Sequence, residues 1–294
     1  MKLAIIYTGG TISCQIEIGS FSPSAKTKSE LTKALDDSIE VESFQPYYTL
    51  SEQLNGEHIS LLIECVAERL KGDFDGIIVT HGTDTLQYSA AALSIAFADS
   101  KTPIVLVSSN YILSDSRANG FSNFKYAVEF IKQKIGGVFV SYKNENCNSE
   151  IFLGDSLLPH LPYSDKLNAI GTAFGYFSNE KFIRLIDNFN TKSEGKFRLT
   201  KKSPVLWLKA YAGMKYPELD GYKAVLLESY HSGTLPSEDE DFIKFCKNSP
   251  VPIHIIGMVD GTQYESTKIF KQLNVVVHKN LNPIYVYISL WREL

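Results

Sequence analysis

The chain has 294 residues, 44% of them hydrophobic and 21% charged, a balance that supports a full core and excludes intrinsic disorder. Its formal charge of −4 leaves no basic footprint, so electrostatics gives no case for a nucleic-acid partner. No stretch approaches the roughly 20 apolar residues that span a bilayer. Cys14, Cys65, Cys147 and Cys246 are scattered without a CxxC pair, which is poor zinc or disulfide spacing and suits a reducing compartment. A cytoplasmic protein is expected, with no membrane attachment and no metal.

In chain order, Leu3–Tyr7 reads as a first buried strand, its apolar run too short for a signal peptide. Gly56–Leu70 follows a helical period with Ile59, Leu62, Ile63, Val66 and Leu70 on one face. Gly76–Val79 is a second buried strand, Asp84–Phe97 an alanine-rich helix, Pro103–Val107 a strand, Phe124–Ile135 a helix and Gly137–Ser141 a strand. This alternation predicts parallel pairing with helices on both faces. From Asp187 to Pro204 the chain turns polar and reads as a linker. Beyond it come strands at Val205–Leu208 and Ala224–Leu227, a helix at Ser237–Lys247, strands at Pro252–Gly257 and Val275–Val277, and a helix at Pro283–Trp291. The expectation is an α/β fold: a larger N-terminal parallel-sheet domain with flanking helices over 1–186, a linker over 187–204, and a smaller C-terminal α/β domain over 205–294.

In an open parallel sheet, ligands gather beyond the carboxyl ends of the strands. Two such ends carry unusual polar sequence. Thr8-Gly9-Gly10-Thr11-Ile12 follows the first strand, its glycines letting the backbone turn sharply and approach a ligand. Thr80-His81-Gly82-Thr83-Asp84-Thr85 follows the Gly76–Val79 strand and precedes a helix, whose N-terminus offers free N–H groups to an anion. Taken singly, a glycine turn and a helix cap explain each segment as well. Neither a GxGxxG nor a GxxxxGK[ST] pattern is present.

Thr-Gly-Gly-Thr-Ile after the first strand, paired with His-Gly-Thr-Asp-Thr about seventy residues later, resembles the bacterial L-asparaginases. Ser229-Tyr230-His231-Ser232-Gly233-Thr234 and Asn280-Leu281-Asn282-Pro283 extend the resemblance to nearly the whole chain. It implies hydrolysis of a small amide, with L-asparagine first among substrates, without a cofactor. It makes Thr11 the nucleophile, Thr83 the second active-site threonine and Asp84 the carboxylate that holds the substrate's ammonium. Thr49-Leu50-Ser51-Glu52-Gln53 matches the segment that binds the amino acid's α-groups, through Ser51 and Glu52. Gly10, Gly82 and the neighbouring backbone amides are expected to contact the substrate and receive the oxyanion. The family also implies a homodimer or homotetramer, with a cross-subunit carboxylate near Glu265.

The chain departs from the family pattern in three places. Phe21 stands where the family has a lid tyrosine, and no tyrosine occurs between Tyr7 and Tyr47. The family's catalytic lysine falls at Pro159 or His160, with Lys166 several residues late, so His160 or Lys166 is the expected substitute for its proton transfer. Ser108-Ser109-Asn110-Tyr111 is expected to alter the wall of the amide pocket. His81 and His231 sit in glycine-bearing turns and read as structural. Two other readings stay open: a weak or inactive amino-acid-binding relative, and the asparaginase-like subunit of a tRNA-dependent amidotransferase. That subunit normally carries an extra N-terminal domain, whereas this sequence starts at the first sheet strand.

Overall fold

The structure is a computed structural model that describes every residue except Ile18, Gly19, Ser24, Ala25, Ala34, Thr262 and Gln263; from Gln15 to Ser29 only backbone is described. The chain forms two compact units, Met1–Leu199 and Thr200–Leu294. The first contains β1 (Lys2–Tyr7), a small hairpin of β2 (Cys14–Glu17) and β3 (Ser20–Pro23), α1 (Lys26–Lys33), β4 (Glu40–Phe44) and α2 (Gly56–Arg69). It continues through β5 (Gly76–Thr80), α3 (Leu86–Phe97), β6 (Pro103–Val107), α4 (Gly120–Ile131), β7 (Gly137–Lys143), β8 (Ser149–Leu153), β9 (Gly175–Ser178) and β10 (Lys181–Arg184). Its main sheet has eight strands in the order β10-β9-β8-β7-β6-β5-β1-β4.

The five strands from β4 to β7 pair in parallel, as the strand–helix alternation predicts. The other three do not. β8, β9 and β10, which lie beyond the alternating segments of the sequence pattern, add antiparallel strands next to β7. For β8 and β10 the reason is connection length, because a parallel crossover needs a dozen or more residues whereas a hairpin needs few. Only residues 144–148 join β7 to β8, with Asn146 at φ 56. Only Asn179 and Glu180, at φ 47 and 63, join β9 to β10. Positive φ at both central residues matches the twist of the flanking strands.

Local sequence accounts for the helices that position the site. Asn55 caps α2, its side-chain oxygen accepting from the N–H groups of Glu57 and His58 at 3.0 and 3.3 Å. Ile59, Leu62, Ile63 and Val66 then form its buried face. α3 is buried along nearly its whole length, and its run Ala90–Ala92 allows close approach of its neighbours. On the other face of the sheet, α4 packs Phe130 against Phe139, Phe174 and Phe182, with centroid distances of 4.7, 6.1 and 5.2 Å. Phe189, within the polar stretch read as linker, packs on Phe139 and Phe174 in the first unit. At the sheet's edges, β4 presents Glu40 and Glu42, both near Lys2, and β10 carries Lys181 and Arg184.

The second unit holds β11 (Val205–Lys209), β12 (Ala224–Glu228), α5 (Glu240–Asn248), β13 (Ile253–Met258), β14 (Val275–Lys279) and α6 (Pro283–Glu293). Its four strands are parallel and lie in sequence order. α5 starts at Glu240, after an Asp239 cap, rather than at Ser237. Among the described residues no helix is long and apolar enough to cross a membrane.

His254 on β13 and His278 on β14 stack with centroids 5.2 Å and planes 18° apart, and Nδ1 of the first lies 2.9 Å from Nε2 of the second. Burial pushes both imidazoles below their usual range, the His278 ring pushes His254 further down, and the Glu293 carboxylate opposes both shifts. The folded unit therefore binds protons less readily than the unfolded chain. The contribution of these two groups to its stability is complete above the unfolded value near 6.5 and diminishes as the pH falls below it. Trp207 and Trp291, the two tryptophans of the chain, both belong to this unit, so indole fluorescence reports its melting. The Tm read from that emission is expected to drop from about pH 6.5 to about pH 5, and less steeply in His278→Gln. A pH-independent Tm would count against the histidine pair as its cause.

Candidate active site

β1 and β5 are neighbours in register, Tyr7 beside Thr80, so the loops that follow them leave the sheet side by side. Thr8 ties them together, its Oγ1 donating to the Thr80 carbonyl at 2.8 Å. Gly9 and Gly10 then take φ values of 106° and 75°, which residues with a side chain rarely adopt. The N–H of Gly10 donates to the Thr49 carbonyl at 3.1 Å, and the N–H of Thr49 donates to the Thr8 carbonyl at 3.0 Å. A Cβ on Gly10 would lie 2.2 Å from Cα of Gly82, and a Cβ on Gly82 would lie 2.4 Å from Cβ of Ser51. Three loops thus meet backbone to backbone at 9–11, 49–53 and 81–84. Thr11 opens a 3₁₀ turn there and is partly exposed, while Ile12, Ser13 and Cys14 turn inward.

Around this junction the polar groups are organised. Ser51 Oγ donates to Asp84 Oδ2 at 2.8 Å, Thr85 Oγ1 donates to the Ser51 carbonyl at 2.9 Å, and Gln87 Nε2 donates to the Asp84 carbonyl at 2.8 Å. α3 begins at Leu86, two residues later than its sequence pattern predicts, and Thr85 occupies its cap position without a side-chain bond to the helix N–H groups. Neither Thr83 nor Asp84 therefore serves as the helix cap. The Asp84 carboxylate is exposed and held by Ser51, so it remains available to a cation. Glu52 is exposed on the short turn Ser51–Gln53.

His81 has a structural place. Its Nδ1 donates to the Gly82 carbonyl at 2.9 Å and its Nε2 accepts from Ser89 Oγ at 2.8 Å, an assignment that requires the neutral ring. Complete burial pushes its pKa down to about 4, against the opposing pull of the Gly82 carbonyl. His231, in the second unit, is exposed.

Thr83 and Asp84 line a cavity of about 360 Å³ together with Tyr142, His160 and residues 161–165. Thr11 follows Gly10, whose backbone lies against Gly82, and is not part of this lining. Of the two residues expected to substitute for the lysine, His160 lines this cavity with Thr83 and Asp84. Burial lowers its pKa, while the backbone at Lys166 and Ser164 and the carboxylates of Asp84 and Asp165 pull the other way. Nε2 of His160 is buried with no hydrogen-bond partner. Lys166 is exposed and lines a larger neighbouring cavity of about 850 Å³ instead.

Asn110 and Tyr111 line the larger cavity, and Ser108 and Ser109 are buried, so none of the four walls the Thr83–Asp84 cavity. Glu265 is exposed in the second unit and pairs with Lys268 at 2.6 Å. Phe21 lies on β3, but its side chain falls outside the described residues. Tyr142 and Tyr163, which line the cavity, belong to neither sequence motif. Tyr142 has a signal in the sequence, since it lies near the carboxyl end of parallel strand β7; Tyr163 has none. Among the described residues no group of three or more His, Cys, Asp or Glu is arranged to hold a metal.

Residues 2–157 match the family model described as asparaginase, N-terminal, which spans more than half of the chain. The chain belongs to the asparaginase family. Full-length similarity links this family member to a Glutamyl-tRNA(Gln) amidotransferase subunit from Pyrococcus furiosus, 24% identical over 98% of this chain and 70% of that protein. The subunit of the same name from Methanococcus vannielii is 26% identical over 100% of this chain and 74% of its own length. Among solved structures, the thermostable L-asparaginase from Thermococcus kodakarensis aligns with a TM-score of 0.84 at 22% identity, covering 99% of this chain and 92% of that one. L-asparaginase I from Vibrio cholerae aligns at 0.79 and 16% identity, with the same coverage of both chains. These structures share the asparaginase fold.

The tight junction is directly testable. Gly82→Ala places a methyl group against Ser51, and overpacking of this kind typically costs about 1–3 kcal/mol. Urea denaturation followed by circular dichroism is expected to show that loss in the asparaginase-family unit. A variant as stable as wild type would mean that the loops separate freely.

Proposed function

We propose that the chain is an amidohydrolase that converts a small amino-acid amide, L-asparagine foremost, and water to the carboxylate and ammonia. The observation that carries this reading is the convergence of Thr11, Ser51, Thr83 and Asp84 on one junction, where glycine backbones replace side chains. Asp84, with Ser51 and Glu52 beside it, supplies the cation and hydrogen-bonding sites that an amino-acid substrate needs. Thr11 Oγ1 attacks the side-chain carbonyl carbon, and backbone N–H groups near Gly10, Thr11 and Thr83 receive the oxyanion. Collapse of the tetrahedral species breaks the C–N bond, and the leaving nitrogen takes a proton to depart as ammonia. Water then cleaves the threonine ester, which gives the free carboxylate and restores the hydroxyl.

A threonine hydroxyl needs a neighbouring base. His160 is assigned that role, with its lone pair on the unpartnered Nε2. A second reading is favoured by the curated relatives: ammonia made here would feed an amidotransferase acting on glutamyl-tRNA, which brings a nucleic acid into the assembly. As a free enzyme the protein is expected to act as a homo-oligomer.

Ammonia release across asparagine, glutamine and related amides tests the reading, with the purified chain alone. Thr11→Val keeps the β-branched shape and removes the hydroxyl, so turnover is expected to fall by at least about a hundredfold. Near-normal turnover would move the nucleophile elsewhere. Absence of ammonia from every amide would leave an amino-acid-binding protein or an amidotransferase subunit that needs its partner.

The His160 assignment has its own signature. Because burial holds the imidazole below its usual 6.5, it is neutral and basic at pH 7, and kcat/KM is expected to fall only at more acid pH. His160→Gln is expected to remove that acid limb and lower kcat by about 10²–10⁴, the usual general-base contribution. An unchanged pH profile in the variant would clear His160 of the role and turn attention to Lys166→Met.

A further inference from the structure

The segment after β8 folds back on itself. Leu157 and Ala169 form an antiparallel bridge, and the N–H of Leu158 donates to the Asn168 carbonyl at 2.9 Å. The segment is anchored by the Tyr142 hydroxyl, which donates to the Asp165 carbonyl at 2.8 Å, and by buried Leu167, whose N–H donates to the Asn144 side chain at 2.8 Å. At its tip the N–H of Ser164 donates to the Leu161 carbonyl at 3.2 Å, making a four-residue turn with Pro162 in second place. Tyr163 takes the third place at φ 61. Turns with proline second and positive φ third favour glycine at that third place.

The Tyr163 ring is 108% exposed, so it gains nothing from packing within the chain. A bulky residue in a strained conformation, with no contact to offset the strain, contributes nothing to folding that glycine would not do better. Strain of this kind collects at functional sites. Tyr163 lines the cavity that holds Thr83, Asp84 and His160, and it also lines the larger cavity beside it. It stands on the rim shared by the two.

We propose that Tyr163 is a substrate-contacting cover residue, whose ring closes the mouth of the Thr83–Asp84–His160 cavity over a bound amino-acid amide. The proposal rests on the reading of that cavity as the amide site. The ring excludes water from the bound substrate, which strengthens the hold of Asp84 on its ammonium. Contact with the substrate then supplies the packing that the free protein lacks. The anchored ends of the segment keep the motion local to the tip.

Tyr163→Gly separates this role from a structural one, because strain and function predict opposite signs. Its Tm is expected to equal or exceed that of wild type. KM for L-asparagine and the calorimetric Kd for L-aspartate are expected to rise roughly tenfold. Tyr163→Phe, which restores the ring, is expected to return both to within about threefold of wild type. Unchanged KM and Kd in Tyr163→Gly overturn the proposal, as does a Phe variant no better than the Gly variant. A lowered Tm that accounts for the lost activity, or a changed oligomeric state, likewise overturns it. The two readings fail separately. If Thr11→Val abolishes ammonia release while Tyr163→Gly behaves as wild type, hydrolysis stands and the cover falls. If wild type releases no ammonia but its L-aspartate affinity depends on Tyr163, the cover stands and hydrolysis falls. Wild type that neither hydrolyses amides nor binds L-aspartate overturns both.

Discussion

The backbone of Gly10 rests against the backbone of Gly82 at a spacing that leaves no room for a Cβ on Gly10, and Ser51 leaves none for a Cβ on Gly82. The candidate site depends on that contact. β1 and β5 are adjacent strands, and their following loops would ordinarily be held apart by side chains. With glycine at both positions the loops touch, and Ser51 is drawn into the same junction from a third segment. Thr11 and Thr83, each one residue beyond a contacting glycine, are thereby brought close although about seventy residues separate them in sequence.

This geometry sets the electrostatic character of the site. The titratable groups nearest the junction fall into two kinds. His81, fully enclosed and bonded at both ring nitrogens, is locked neutral and holds the loop in shape. Asp84 is exposed and gripped through one oxygen by Ser51, so its charge faces outward. His160 stands between these cases: it is partly buried, the backbone of its loop opposes the lowering of its pKa, and Nε2 has no partner. A buried polar atom left unsatisfied is costly. His160 itself lines the cavity that holds Thr83 and Asp84.

Short-range chemistry makes much of this legible without the structure. The parallel strands β1, β5, β6 and β7 are apolar runs too plain to misread, and the amphipathic period of α2 gives its buried face residue by residue. The motif glycines and threonines are legible because chemistry at strand ends demands them. The antiparallel wing is not, since β9 and β10 turn on Asn179-Glu180 rather than Asn-Gly, and nothing in that pair announces a hairpin. β4 escapes for another reason: as an edge strand it alternates Glu40, Val41 and Glu42, and half-exposed polar runs resemble loops. The choice between His160 and Lys166 lies beyond the sequence as well. It turns on which way an anchored loop presents its residues, and that depends on bonds from Tyr142 and Asn144, which lie some twenty residues earlier in the chain.

The two free margins of the eight-stranded sheet carry a further consequence. An open sheet offers unpaired N–H and C=O groups along each outer strand, a template on which another chain can add. β4 meets solvent with Glu40 and Glu42, and β10, only four residues long, with Lys181 and Arg184. Arg184 also turns its guanidinium onto the carbonyls of Ile186 and Asp187, at 2.7 and 2.6 Å, which occupies acceptors just past that margin. Charge, short length and this local bonding act together against edge-to-edge growth. The sheet is thereby closed to extension into fibres without being closed into a barrel.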